Sequence, residues 1–322
     1  MAPDVLGTFT SPVILFFVLG LLAAALRSDL AIPEPLAKGM SIYLMIAIGL
    51  KGGVAMAQSG INAEVLVALA LGVSASFLLP FAAYALLRGF GRLNQVNAGA
   101  TAAHYGSVSV VTFVTATEIL QVAAIPAAGY MVAVMAAMET PAILSGLYLA
   151  RRGQNRATAG DGSLVHEVFL NASVVLLLGS FAIGWIAGPD GFSDVSPLFE
   201  AGFRGVLCLF LLDMGLIAAR RLMNARGVTW RLVALAVLMP LVAGVLGVLA
   251  ATGAGLPVGS AAAFGVLVAS ASYIAVPAAM RLALPEADPG IYLTMSLSIT
   301  FPFNVLVNIG LLTAFARLLA GA

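Results

Sequence analysis

Two short polar clusters interrupt apolar stretches of the chain, Gly106-Ser107-Val108-Ser109 and Ala269-Ser270-Ala271-Ser272-Tyr273. Gly106 permits unusual torsions, and short hydroxyl side chains satisfy amides released where a helix breaks. Pro277 removes one helical hydrogen bond just beyond the second cluster. If each cluster breaks a helix, the second halves, starting near Val110 and Ile274, turn free amides and the positive end of a dipole toward the break. Such a place suits a small anion. It would be held by amides and by the hydroxyls of Ser107, Ser109, Thr112, Ser270 and Ser272, with Gly106, Val108, Ala271 and Tyr273 completing the lining and no metal or full cationic charge needed. The competing reading is packing, since Ser and Gly in membrane helices let neighbours approach closely; occurrence of both clusters at equivalent places favours the site.

Ionisable residues inside apolar runs are costly, so each needs a role or a buried partner. Lys51 and Asp213 either pair structurally or act in coupling. Glu139 precedes Thr140-Pro141, where a carboxylate and freed carbonyls would hold a cation, or where a kink places an acid in a wet cavity. His104 either carries a proton or donates a hydrogen bond. Arg281 reads as a snorkelling anchor, and Asn304 and Asn308 share a helix face on which they can bond a neighbour. An intramembrane serine hydrolase, with Ser107 or Ser109 as nucleophile and His104 or the distant His166 as base, is a weaker alternative: the chain has no Gly-x-Ser-x-Gly elbow.

What must position these groups follows from composition. Of 322 residues, 61% are hydrophobic and 9% charged, with mean hydropathy +1.08, whereas soluble domains carry roughly a quarter charged residues. That excludes a cytoplasmic enzyme, a nucleic-acid binder and a disordered scaffold, and makes lipid the solvent. A net charge of +1 gives no field for an acidic polymer. The single cysteine, Cys208, excludes disulfide frameworks and thiolate metal clusters, and the first apolar run has no basic region ahead of it, as a cleavable signal peptide would. Ten apolar runs of helical length are expected, near 11–26, 37–57, 64–87, 97–117, 123–150, 165–187, 198–219, 229–251, 258–281 and 291–319. None alternates as a barrel strand would. Arginines such as Arg27, Arg88, Arg151 and Arg220 fall after odd-numbered runs, which predicts those connections in the cytoplasm and both termini outside.

The halves resemble each other. Val67–Ala70 lies on Val233–Ala236, Gly49-Leu50 on Gly215-Leu216, Ser107-Val108-Ser109 on Ser270-Ala271-Ser272, Tyr130 on Tyr292 and Pro141 on Pro302, in order and with slowly shrinking separation. The expected fold is therefore an all-α integral membrane protein of ten transmembrane helices: two five-helix repeats, 1–150 and 164–322, joined by a cytoplasmic linker at 151–163. An odd number of crossings inverts the second copy, an arrangement typical of secondary transporters.

The chain resembles the sodium-dependent bicarbonate transporter family in an ordered set of segments: Ile48–Met56, Gly106–Ser109, Met138–Pro141, Ala269–Pro277 followed by Arg281, and Leu284–Tyr292. The resemblance implies discontinuous crossing helices, a core domain of spans three to five and eight to ten, a gate domain of spans one, two, six and seven, a homotrimer, a PII-like regulatory partner, and import of bicarbonate driven by sodium. Where the pattern of some members has an acid, a small hydroxyl residue and an aspartate, this chain has Tyr273, Lys51 and Glu139. The expected protein is a carrier in the bacterial inner membrane, with sodium as the one ion beside the anion and no other cofactor. Its alternatives are a carrier of another small monovalent anion or one coupled to protons through His104.

Overall fold

The computed structural model describes residues 11–152, 172–225 and 227–321, and among these all regular structure is helical. The expected linker beyond Arg152, His166, Arg226 and the outermost terminal residues lie outside the described residues. In chain order the helices are α1 Pro12–Ala25, α2 Glu34–Ser59, α3 Ala63–Gly89, α4 Gln95–Gly106, α5 Val110–Val122, α6 Met131–Ala137, α7 Glu139–Arg151, α8 Ala172–Ser193, α9 Phe203–Met223, α10 Trp230–Gly253, α11 Val258–Ala269, α12 Ala275–Ala283 and α13 Pro289–Leu319. Six helical stretches among the described residues, with α6 and α7 forming one of them, are long and apolar enough to cross a membrane, and α1 and α11 are shorter apolar helices. Large apolar side chains such as Leu66, Phe77, Ile186, Leu238 and Leu246 stand exposed on the outer faces. In water such surface would drive aggregation; in hydrocarbon it is the solvated surface. This is a multi-pass membrane protein.

Some boundaries differ from the expected ones. The fifth run begins with a non-helical connection, and its helix starts at Met131 because Pro126 and the positive φ of Ala124 hold the preceding backbone out of helix. The seventh run starts at Phe203, after a π-helical turn at Pro197–Ala201. Arg204 therefore lies at a helix entrance rather than within a span. Gly188, at φ 63°, with Pro189 beside it, breaks α8 near its end.

Small residues set the packing of the long helices. Gly20 of α1 lies against the Leu212 carbonyl of α9, and Gly215 of α9 against the Phe17 carbonyl of α1. The same relation recurs between α2 and α8, where Gly53 meets the Phe181 carbonyl and Gly184 the Leu50 carbonyl. In lipid, where burying apolar surface gains little, such backbone contact is what holds helices together. A methyl group on Gly53 would overlap the Phe181 carbonyl oxygen and stand 2.7 Å from the Trp185 amide, whereas Gly39 in the same helix has nothing within 4 Å. We expect Gly53→Ala to cost about 1–3 kcal/mol by overpacking, read as a lower denaturation midpoint in detergent, with Gly39→Ala unchanged.

The remaining helices form two further groups. Helices α4 and α7 pack together, with α3 against both; likewise α11 packs with α10 and α13. The two groups meet where α4 gives way to α5 and α11 to α12.

Candidate functional site

Both sequence clusters are helix breaks. Ser107 leaves α4 with extended torsions (φ −90°, ψ 158°), and Ser270 leaves α11 in the same way (φ −80°, ψ 163°). Each departure has a local cause. Ser109 is the N-cap of α5, its hydroxyl oxygen accepting the Thr112 amide at 3.2 Å. The Ser270 hydroxyl donates to the Leu267 carbonyl at 2.8 Å, satisfying one group that the ending helix releases. Asn304 of α13 donates to the Ala269 carbonyl at 2.9 Å and accepts from Asn308 at 2.8 Å. The asparagine pair thus bonds a neighbouring helix, and does so at the break itself.

The breaks are bound to each other. The Ser109 amide donates to the Ser270 hydroxyl oxygen at 3.0 Å. The Ser272 amide donates to the His104 carbonyl at 2.9 Å, and His104 Nδ1 lies 2.5 Å from the Ser272 carbonyl oxygen. A carbonyl only accepts, so Nδ1 carries the hydrogen and, with the ring neutral, Nε2 is a bare acceptor. The imidazole stacks on Tyr292 of α13, with ring centroids 4.7 Å apart.

Around these bonds lie polar atoms without partners. His104 Nε2, Ser107 Oγ, Thr112 Oγ1 and Tyr273 Oη are all buried and make no hydrogen bond. Tyr273 is directed toward Ser109 without reaching hydrogen-bond geometry, and its ring packs edge-on against Phe301. A buried hydroxyl left unpaired costs about 1–3 kcal/mol, so several together make the crossing the candidate place for a polar guest; Thr101, Asp213, Ser298 and Asn308 carry unpaired buried atoms as well. Val108 and Ala271 fill the apolar positions between the serines and are buried. Gly106 is pressed against α3: a Cβ there would lie 2.5 Å from Pro80 Cγ and 2.8 Å from the Ser76 carbonyl oxygen.

Glu139 lies beside this assembly. It is 1% exposed, its Oε2 has no hydrogen-bond partner, and it opens α7 immediately after Met138. Ser76 connects it to the first break, because the Ser76 carbonyl touches Gly106 while its hydroxyl donates to the Met138 carbonyl at 2.5 Å.

Of the two readings of Lys51 and Asp213, structural pairing or a role in coupling, the pairing does not occur. The Lys51 ammonium stands 4.3 Å over the Phe203 ring; Asp213 lies ten residues, about 15 Å, farther along the same helix as Phe203. The ion pair among the described residues is Arg204 with Glu118, joining the start of α9 to α5. Spacing gave no sign of it, because its members lie in different halves and become neighbours only through packing. Nor does any serine hydroxyl reach the His104 ring, so the nucleophile and base of the hydrolase alternative are not in contact. Among the described residues no group of three or more His, Cys, Asp and Glu is arranged to hold a metal ion. Arg281 is exposed at the end of α12.

A family model described as the Na+-dependent bicarbonate transporter superfamily matches residues 12–317. The chain belongs to that superfamily. The match spans both breaks, Glu139 and Lys51, so membership in the Na+-dependent bicarbonate transporter superfamily covers every candidate residue above. Among curated proteins none matches the sequence.

Proposed function

We propose that the protein is a secondary active transporter that imports bicarbonate, with sodium, across the bacterial inner membrane, and that the anion binds where the two helix breaks meet. The observation that carries this reading is the group of unpaired buried polar atoms at the meeting point. Ser107, Thr112 and Tyr273 offer three hydroxyl donors, while His104 Nε2 offers one acceptor. Bicarbonate has charged oxygens to accept and a single O–H to donate, and so matches both kinds of group. A fully deprotonated three-oxygen anion such as nitrate would leave Nε2 unanswered, which favours bicarbonate over the alternative anions. Near neutral pH one charge is enough: the N-terminus of α5 faces the break, and two of its leading amides, those of Val110 and Val111, are not used by the Ser109 cap.

Alternating access is supported by the packing. The α1–α9 and α2–α8 contacts are of the same kind, glycine to opposing carbonyl, and they exchange under the correspondence that carries Ser107–Ser109 onto Ser270–Ser272. We read this as ten spans in two inverted repeats, with α1, α2, α8 and α9 forming the gate domain and the other helices a core that moves against it. Near-equivalent halves give outward- and inward-open states of similar energy, which a carrier requires.

The experiment is uptake of labelled bicarbonate by cells or proteoliposomes carrying Ser109→Ala and Ser272→Ala together. Loss of the α5 cap and of the hydroxyl beside α12 will lower uptake at least tenfold, with the protein still present in the membrane in normal amount. Undiminished uptake by the double variant removes the crossing as the binding site.

A further inference from the structure

A second cavity lies outside the crossing. It has a volume of about 540 Å³ and opens among the end of α5, the connection before α6 and the entrance of α9. Phe113, 1% exposed, forms its floor; the Phe113 amide donates to the Ser109 carbonyl at 3.0 Å, so the floor is one helical turn from the first break. Four charged groups line it. Glu118 and Arg204 neutralise each other, and Glu200 sits on the exposed turn before α9. Lys51 differs: it projects from α2, its ammonium stands 4.3 Å over the Phe203 ring, and Glu118 and Glu200 act on it across the cavity without forming an ion pair with it.

A cation on a membrane-embedded helix is expensive unless water or a counter-charge compensates it. Glu118 and Glu200 supply part of that counter-charge from a distance; the cavity leaves room for an anion at the ammonium itself, and the exposed Gln121 carboxamide, which lines the same space with no hydrogen bond of its own, adds an N–H donor. A point charge beside an amide donor recognises an oxyanion, whose oxygens accept from both. We propose that Lys51 holds a small monovalent oxyanion in this cavity, a loading site separate from the crossing and one turn away from it. The inference rests on the reading that the carried solute is such an anion.

The chain contains two lysines, Lys38 and Lys51, so lysine chemistry isolates this site. Reductive methylation of the full-length protein in detergent with 13C-formaldehyde keeps the positive charge and places a resonance on each lysine. Lys51→Arg identifies the Lys51 signal by its disappearance. Titration with sodium bicarbonate will shift the Lys51 signal saturably, leave that of Lys38 in place, and give the same shift in the Ser109→Ala, Ser272→Ala protein. A Lys51 that resists methylation is walled off from solvent, and the proposal fails. It fails equally if the signal does not move, if it moves as much with sodium chloride at equal ionic strength, or if the two serine replacements abolish the shift, since the signal then reports the crossing. A saturable shift in a protein whose uptake survives the serine replacements leaves the Lys51 site standing and removes the crossing as the place of transport.

Discussion

Gly106→Ala will abolish bicarbonate uptake, by about a hundredfold or to below detection, while Gly89→Ala leaves it unchanged. Both glycines end a helix and both have negative φ, so helix propensity and backbone torsion do not distinguish them. Space does. An added methyl at Gly89 meets nothing within 4 Å, whereas at Gly106 it would lie 2.5 and 2.6 Å from Pro80 Cγ and Cδ and 2.8 Å from the Ser76 carbonyl oxygen. The pyrrolidine ring is locked to its own backbone, and the carbonyl is backbone, so neither yields as a flexible side chain would. The strain must be relieved by moving α4 away from α3. Ser107 follows Gly106 directly, and His104 two positions earlier carries two of the bonds to Ser272. A shift of about 1 Å in groups that position a substrate costs on the order of a hundredfold in rate. The overpacking itself costs about 1–3 kcal/mol. Membrane abundance and the detergent denaturation midpoint, measured beside uptake, separate displacement of the site from loss of the fold. Normal uptake by Gly106→Ala would mean that this helix end is not held against α3 as described.

The breaks were legible because they are local. A serine that caps and a proline after the gap each act within a few residues, and repetition of the pattern at 107–109 and 270–272 raised it above ordinary membrane packing, whereas the contact of Gly106 with Pro80 and Ser76 of α3 is long-range. The class of molecule was legible for a similar reason: 9% charged residues cannot cover a water-facing surface. What escaped was what distance in sequence hides. Lys51 and Asp213 seemed matched in charge and place, yet rotation and height along their helices put the ammonium over Phe203 and the carboxylate about three turns away. Glu118 and Arg204 form the pair instead. His104 offered two readings, and its hydrogen bond to the Ser272 carbonyl assigns it to the join between the breaks. Hydropathy also merged connection with span, as before Met131 and Phe203, because an apolar loop residue scores like an apolar helical one.

Glu139→Gln will remove the response of uptake to a sodium gradient and lower uptake at least tenfold to the uncoupled rate. The side chain is 1% exposed and forms no ion pair among the described residues, and its Oε2 lacks a hydrogen bond. An ionised carboxylate there costs several kcal/mol unless a cation accompanies it; the group must carry either a proton or a metal ion. The backbone favours the ion. Pro141 has no N–H to offer the Ala137 carbonyl four residues earlier, where α6 gives way to α7, and a carbonyl released there would join the carboxylate as a hard oxygen ligand for a monovalent cation. Glutamine preserves volume and one carbonyl oxygen while deleting the charge, so a purely structural acid would tolerate the change. Proteoliposomes with imposed gradients distinguish the cases. Sodium stimulation in the wild type that vanishes in Glu139→Gln places the cation at this carboxylate. Stimulation retained in the variant makes Glu139 structural, and wild-type uptake indifferent to sodium but driven by a proton gradient turns the coupling over to protons, with His104 and Glu139 as the groups to test next.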